Sequence, residues 1–194
     1  MNRTRTRTDV INSLIAGLGY SRYLEIGCQS DVNFDAVDAT RKVGVDPSSG
    51  GTVRMTSDEY FASAMETFDL VFIDGDHHHS QVKRDVDNAL RRLAPDGTIV
   101  MHDCLPLDAH YESPNFCGTA WRAFLYTRER TDLDSFVCDF DHGVGVVRRG
   151  ANPSLVKSGK TLDALTYDDL VQNKQAWMRP TTFEELLRHI AAWH

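Results

Sequence analysis

No apolar run in the 194 residues approaches the roughly 20 that a bilayer-spanning helix needs, so no membrane role is expected. Basic residues are the minority. Against 28 Asp and Glu stand 21 Lys and Arg, a net charge of −7, and an acidic chain is a poor general binder of nucleic acid or anionic membrane. The four cysteines (Cys28, Cys104, Cys117, Cys138) show no CxxC spacing. Free thiols in a reducing cytoplasm are therefore expected, not a zinc knuckle or a disulfide framework. Repeats and low-complexity tracts are absent. The one basic run, "MNRTRTR" with Arg3, Arg5 and Arg7, lacks the apolar segment of a signal peptide and reads as a short disordered lead-in.

What is present is the material for one compact domain, since 41% of residues are hydrophobic. "DVINSLIAGL" is an amphipathic helix with Thr8 or Asp9 as cap. Short strands are predicted at "RYLEIG", "KVGVD", "TVRM", "FDLVFID", "TIVMHD", "SFVCDF" and "VGVVRR". Between them lie helices from about Val32 to Thr40, from Ser57 behind a Ser cap, from Ser80 to Leu93, and from Thr119 behind a Thr cap. Asp141-His142-Gly143 separates the last two strands at hairpin distance.

This alternation predicts an α/β, Rossmann-like, doubly wound and mostly parallel seven-stranded sheet with an antiparallel terminal hairpin. Residues 1–150 would form the binding domain with its N-terminal helix. Residues 151–194, with helices at "TYDDLVQNK" and "TTFEELLRHIAAW" (capping box from Thr181 or Thr182), would be a tail or lid without independent folding. Trp121, Phe124 and Leu125 recur at helical spacing and read as core. Trp177 and Trp193 read as packing a lid or dimer contact in preference to lining a pocket.

Ligands of such sheets bind at the carboxyl ends of the strands. Four strand ends carry polar chemistry here: Glu25-Ile26-Gly27, Asp46, Asp74 and His102-Asp103. A glycine after the first strand and an acid about 20 residues on form a nucleoside-cofactor pattern. Yet "GCQSDV" lacks the G-x-G-x-x-G that lets a backbone hug a pyrophosphate, which argues against an NAD-dependent reductase. Glu25 would repel a pyrophosphate and suits a cofactor carrying positive charge. S-adenosylmethionine (SAM) has an ammonium and a sulfonium and no phosphate.

From Tyr20 to Arg149 the chain resembles the class I SAM-dependent methyltransferases, through "YLEIGCQSDVNF", "KVGVDP", "FDLVFIDGDHH" and "LAPDGTIVMHDCLP" in that order. The resemblance implies that Glu25, Gly27 and the turn Cys28, Gln29 and Ser30 hold the methionine end. Asp46 would hold the ribose, Thr56 and Ser57 would lie near the adenine, and Asp74 would border the cofactor. Gln29 and Asp31 stand where the family turn often has glycine. The chain resembles further the metal-dependent O-methyltransferases, those acting on sugars above all. That resemblance assigns Asp74, His102 and Asp103 to a divalent cation. Mg²⁺ is the expected ion, with Mn²⁺ or another transition metal as alternatives because of His102. His102 could instead stand behind the ligands, act as a base or point elsewhere.

The same resemblance makes Asp76 the first candidate for the base, with His77 and then His142 behind it; a histidine neutral near pH 7 can accept a proton directly. His78 and His79 read as the start of a helix, and three consecutive imidazoles diverge too much to share one ion. Tyr111 and Glu112 lie in the loop Leu105–Cys117, long enough without periodicity to suggest acceptor recognition. The expected function is SAM-dependent O-methylation of a small hydroxylated acceptor, a saccharide by preference, by a cytoplasmic homodimer. A phenolic or other natural-product acceptor, or a catalytically inactive SAM-binding module, is the alternative.

Overall fold

The computed structural model describes residues 4–193, so Arg3 of the basic run lies outside the described residues. Seven strands, β1 (Arg22–Ile26), β2 (Arg41–Val45), β3 (Phe68–Ile73), β4 (Leu93–Met101), β5 (Leu133–Cys138), β6 (Val144–Arg149) and β7 (Pro180–Thr181), form one sheet in the order β2-β1-β3-β4-β6-β5-β7. The first four pair in parallel. β6 runs antiparallel between β4 and β5, and β7 pairs parallel to β5 at the edge. The hairpin thus sits inside the sheet, and the tail's short strand takes the edge.

Helices cover both faces. α1 (Arg7–Leu18), α2 (Val32–Ala36) and α7 (Phe183–Ala192) pack on one side; α3 (Ser57–Ser63), α4 (His79–Arg92), α5 (Ala120–Arg128) and α6 (Tyr167–Met178) pack on the other. β3 shows why its apolar run is nearly continuous. Val71 and Ile73 join the core under α4, while Leu70 and Phe72 join the core under α1. Trp121, Phe124 and Leu125 are fully buried, as their spacing predicts.

Several boundaries differ from the sequence reading, each for a local reason. Residues 52–55 form no strand; Val53 makes one bridge to Val45 as the chain climbs out of the Gly50-Gly51 loop. α2 stops at Ala36 because Lys42 Nζ takes the carbonyls of Phe34 (2.6 Å) and Val37 (3.2 Å), satisfying its C-terminal end. β4 begins at Leu93, and its register against β3 jumps from Phe68↔Leu93 to Leu70↔Thr98, so Pro95-Asp96-Gly97 sits in a bulge. α1 starts behind Thr6, which forms a capping box with Asp9, instead of at Thr8 or Asp9. Thr56 and not Ser57 caps α3, again with a capping box to Glu59. Thr119 makes no side-chain cap bond to α5, because its hydroxyl is committed to His79.

The tail is tied into the core. Arg128 of α5 is fully buried and donates to the carbonyls of Trp177 (3.1 Å) and Ala176 (3.3 Å) at the end of α6 and of Ser154 (2.8 Å). Trp177 is buried in the core, while Trp193 stacks beside His189 and under the Arg148 guanidinium. Neither tryptophan lines the main cleft.

Candidate active site

A cleft of about 940 Å³ opens at the carboxyl ends of β1 to β4. It lies where the strand order turns from β1 outward to β2 on one side and β3 on the other, the switch point where such sheets bind ligands. Every residue predicted for cofactor, cation or base lines this one cleft.

The β1 end is built on Gly27. Its φ is +84°, and a Cβ there would stand 2.2 Å from the Asp74 carbonyl, so the loops after β1 and β3 close on each other only over glycine. Gln29 and Asp31 follow with φ of 49° and 62°, left-handed positions where glycine would be unstrained. Glu25, just before this turn, is buried, and Tyr23 Oη (2.5 Å) and Asn33 Nδ2 (3.0 Å) both donate to its Oε2. Desolvation dominates these bonds and pushes its carboxyl up to about 7. Oε1 remains as an acceptor for a ligand.

Asp46 is used differently from expectation. Its Oδ2 accepts the amides of Cys28 and Gln29 (3.0 Å each), and its Oδ1 those of Ser48 and Ser49 (2.8 Å each). Burial opposes its ionisation, but these four bonds outweigh burial and hold the carboxyl below its usual range. A carboxylate has about four acceptor positions, so a ribose hydroxyl would have to displace an amide. Cys28 offers its backbone; its thiol, pushed up to about 12 by burial, lies against the backbone of Gly44 and Gly51. Thr56 and Ser57 sit at the start of α3 on the cleft wall, with Ser57 Oγ accepting from Gln81.

At the β3–β4 end one ligand atom each from Asp74, His102 and Asp103 lies within 4.8 Å of the others. His102 Nδ1 is 3.3 Å from Asp74 Oδ1 and 3.3 Å from Asp103 Oδ2. His77 Nε2 faces the same two oxygens at 3.6 and 3.4 Å. Asp103 has φ of 59°, a left-handed position stored at the site. Although Asp74 is desolvated, His102, His77 and Arg7 hold its carboxyl far below the usual range. His102 is likewise raised against its burial, chiefly by Asp74, and the Asp74 carboxylate beside His77 is the first of the groups that raise it.

The three consecutive histidines diverge. His77 turns to the carboxylates, His78 caps α4 through Nδ1, and His79 is buried between Thr119 Oγ1 (3.0 Å) and Asp163 Oδ1 (2.9 Å). Asp76 is exposed on the cleft rim, and one oxygen accepts the His78 amide at 2.7 Å. His142 has φ of 58° and a buried Nδ1 without a hydrogen-bond partner, and its ring stacks on Tyr111 at 5.5 Å. Tyr111 also packs on Phe116 at 4.9 Å, so the loop after β4 presents an aromatic wall to the cleft. Glu112 lines it too, pinned by Trp121 Nε1 (2.9 Å) and Arg122 (3.1 Å).

Two residues escaped sequence reasoning. Arg7 is no disordered lead-in: it opens α1, and its guanidinium lies 2.9 Å from His102 Nε2, 3.5 Å from Asp141 and 3.8 Å from Asp74. Arg5, in the same run, stacks over Phe183 at 4.2 Å. Asp141 caps the start of α1 by accepting the Arg7 amide (2.8 Å), and its carbonyl meets His102 Nε2 at 2.8 Å. Local pattern carried no signal for either, because both act across the chain.

Residues 26–104 match the Methyltransf_24 methyltransferase domain family. That match is to a methyltransferase domain and runs from the last residue of β1 to just past β4. Solved structures share its fold. The SAH-bound methyltransferase PaMTH1 of Podospora anserina is 17% identical over 74% of this chain and 78% of that one, with a TM-score of 0.58. An O-methyltransferase from Bacillus cereus in complex with SAH is 14% identical over 77% and 84%, with a TM-score of 0.56. TomG of Streptomyces achromogenes, an O-methyltransferase of tomaymycin synthesis solved with SAM, is 17% identical over 73% and 79%, with a TM-score of 0.53. No curated protein sequence matches the chain. Among the described residues no helix is long and apolar enough to cross a membrane.

Proposed function

We propose that this methyltransferase domain transfers a methyl group from SAM to a hydroxyl of a small acceptor, preferably a saccharide, with a divalent cation held by Asp74, His102 and Asp103. The observation that carries the reading is the joining of two unlike ends in one cleft. A buried carboxylate with a spare oxygen, Glu25, faces one end, and a cluster of two carboxylates and an imidazole forms the other. Glu25 suits the positive methionine end of SAM, and the donor set suits a divalent cation.

Bound SAM supplies an electrophilic methyl group, and a bound cation lowers the pKa of the attacking hydroxyl. The chain's own part is to orient and to take the proton. The C–S bond of the donor breaks as the C–O bond forms, and the hydroxyl proton passes to a residue of the cleft. Asp76 is the first choice, with its free oxygen at the rim. His77 and His142, whose Nδ1 has no partner, are the others. Saccharide preference rests on the run Asp74-Gly75-Asp76-His77. The aromatic wall of Tyr111, Phe116 and His142 favours a second reading, a flat phenolic acceptor stacked on it.

Calorimetry with SAM followed by a methyl-transfer screen against saccharides and phenols, with and without added cation, tests this. SAM binding and product with one acceptor class are expected. Absence of SAM binding at millimolar concentration removes the enzyme reading. Binding without transfer to any acceptor would favour an inactive SAM-binding module.

A further inference from the structure

The ring of His77 is held in a way that suits a ligand better than a base. Its Nδ1 meets the carbonyl of Phe116. A carbonyl only accepts, so Nδ1 carries a proton, and in the neutral ring the lone pair is then on Nε2. That nitrogen faces Asp74 Oδ1 and Asp103 Oδ2 at 3.6 and 3.4 Å. His102 presents Nδ1 to the same two oxygens at 3.3 Å each, with its remote Nε2 on the carbonyl of Asp141. Proteins fix the tautomer of a metal-binding histidine in this way, through a main-chain carbonyl on the remote nitrogen.

The spacing agrees. Bonds of 2.0–2.1 Å in a tetrahedral centre put ligand atoms about 3.3–3.4 Å apart. The four N···O separations here span 3.3 to 3.6 Å; Asp74, His102 and Asp103 already stand mutually within 4.8 Å, and His77 joins them through its contacts to the two carboxylates. Charge-assisted N–H···O bonds would draw in to about 2.7–2.9 Å.

We propose that His77 is a fourth cation ligand, so that Asp74, His77, His102 and Asp103 form a two-imidazole, two-carboxylate centre that selects a first-row transition metal over Mg²⁺. Imidazole nitrogen suits Mn²⁺, Fe²⁺, Co²⁺ and Zn²⁺, whereas Mg²⁺ takes oxygen ligands. The centre also ties the acceptor loop to the cation, since the main chain turns back at Gly118, where a Cβ would stand 2.6 Å from His77 Cβ. The use of the centre rests on the methyl-transfer reading; its composition does not, and cation binding is measured without SAM or acceptor.

The full chain, stripped with chelator, is titrated with Co²⁺ by calorimetry and visible absorption, then challenged with Mg²⁺. Wild type should bind Co²⁺ and retain it against a hundredfold excess of Mg²⁺. Substitutions H77A and H102A should each weaken Co²⁺ binding by at least about tenfold, while H78A leaves it unchanged. Zn²⁺ titration of ¹⁵N-histidine-labelled wild type, followed by NMR, reads the same point without any substitution. The Nε2 signal of His77 and the Nδ1 signal of His102 should both shift. No Co²⁺ binding, ready displacement by Mg²⁺, equal binding by H77A, or a His77 signal that Zn²⁺ leaves in place would each overturn the proposal. Methyl transfer that persists in those cases would leave the enzymatic reading standing.

Discussion

Arg7 Nη1 lies 2.9 Å from His102 Nε2, a nitrogen that the carbonyl of Asp141 also approaches at 2.8 Å. The two neighbours make opposite demands. The guanidinium only donates and wants a lone pair; the carbonyl only accepts and wants an N–H. A cation on Nδ1 puts the proton on Nε2 and resolves the contest for Asp141. Arg7 must then lean on the carboxylates of Asp141 and Asp74, at 3.5 and 3.8 Å. The guanidinium therefore competes with a cation twice, through His102 and through Asp74. Substitution R7A should tighten Mn²⁺ or Co²⁺ binding by up to about tenfold, less at high salt because the arginine is partly exposed. Calorimetry at low and high ionic strength checks this, and unchanged or weaker binding would refute the competition.

Glu25 predicts a pH dependence at the other end of the cleft. Burial pushes its carboxyl from an ordinary 4.5 up to about 7. A cationic ligand binds the ionised form, so SAM affinity should rise about tenfold between pH 6 and pH 8. Substitution E25Q should flatten that profile. Stability runs the other way. A raised carboxyl contributes fully below about pH 4.5 and loses its contribution as pH rises through about 7. E25Q should match wild type near pH 4.5 and exceed it above pH 7 by up to about 3 kcal/mol. Urea melts at the two pH values decide this.

Much of this architecture was legible because it rests on local rules. β3 announces itself by an apolar run ending on Asp74, and the capping box at Thr182 stands in the sequence as a spaced Thr and acid pair. Strand-end chemistry brought Glu25, Asp74, His102 and Asp103 to one edge, since parallel strands must end on the same side. What stayed hidden depends on partners far along the chain. Arg7 meets His102 across 95 positions, and nothing in "RTRTR" distinguishes it from a solvated run. β7 is two residues containing a proline, and it exists only because β5 offers an edge to pair with. Asp46 has the expected position, but the amides of its own loop occupy it.

On the proposed methyl-transfer reading, Tyr111 should separate acceptor recognition from cofactor binding. It stacks on His142 at 5.5 Å and packs on Phe116 at 4.9 Å, within the aromatic wall of the cleft. Substitution Y111A should raise the acceptor KM about three- to tenfold, the worth of one aromatic stacking contact. SAM affinity should stay within about twofold, and kcat should change less than KM. A matching loss of SAM affinity would mean that the wall supports the whole cleft and does not read the acceptor.

Asp76 gives the sharpest test of the proton's path. One of its oxygens accepts the His78 amide at 2.7 Å, which shapes the turn into α4, and the other is free at the rim. Asparagine keeps the first role, because its side-chain carbonyl accepts the same amide, and removes the second, because the amide nitrogen cannot take a proton. Substitution D76N should lower kcat by about 10²- to 10⁴-fold with SAM and cation affinities nearly intact. If Asp76 is the base, D76E should recover part of the rate, since a longer side chain keeps the carboxylate. A D76N enzyme with near wild-type kcat would pass the role to His142, whose Nδ1 has no partner and whose ring lies 6.3 Å from that of His102. H142A would then carry the loss of kcat that D76N fails to show.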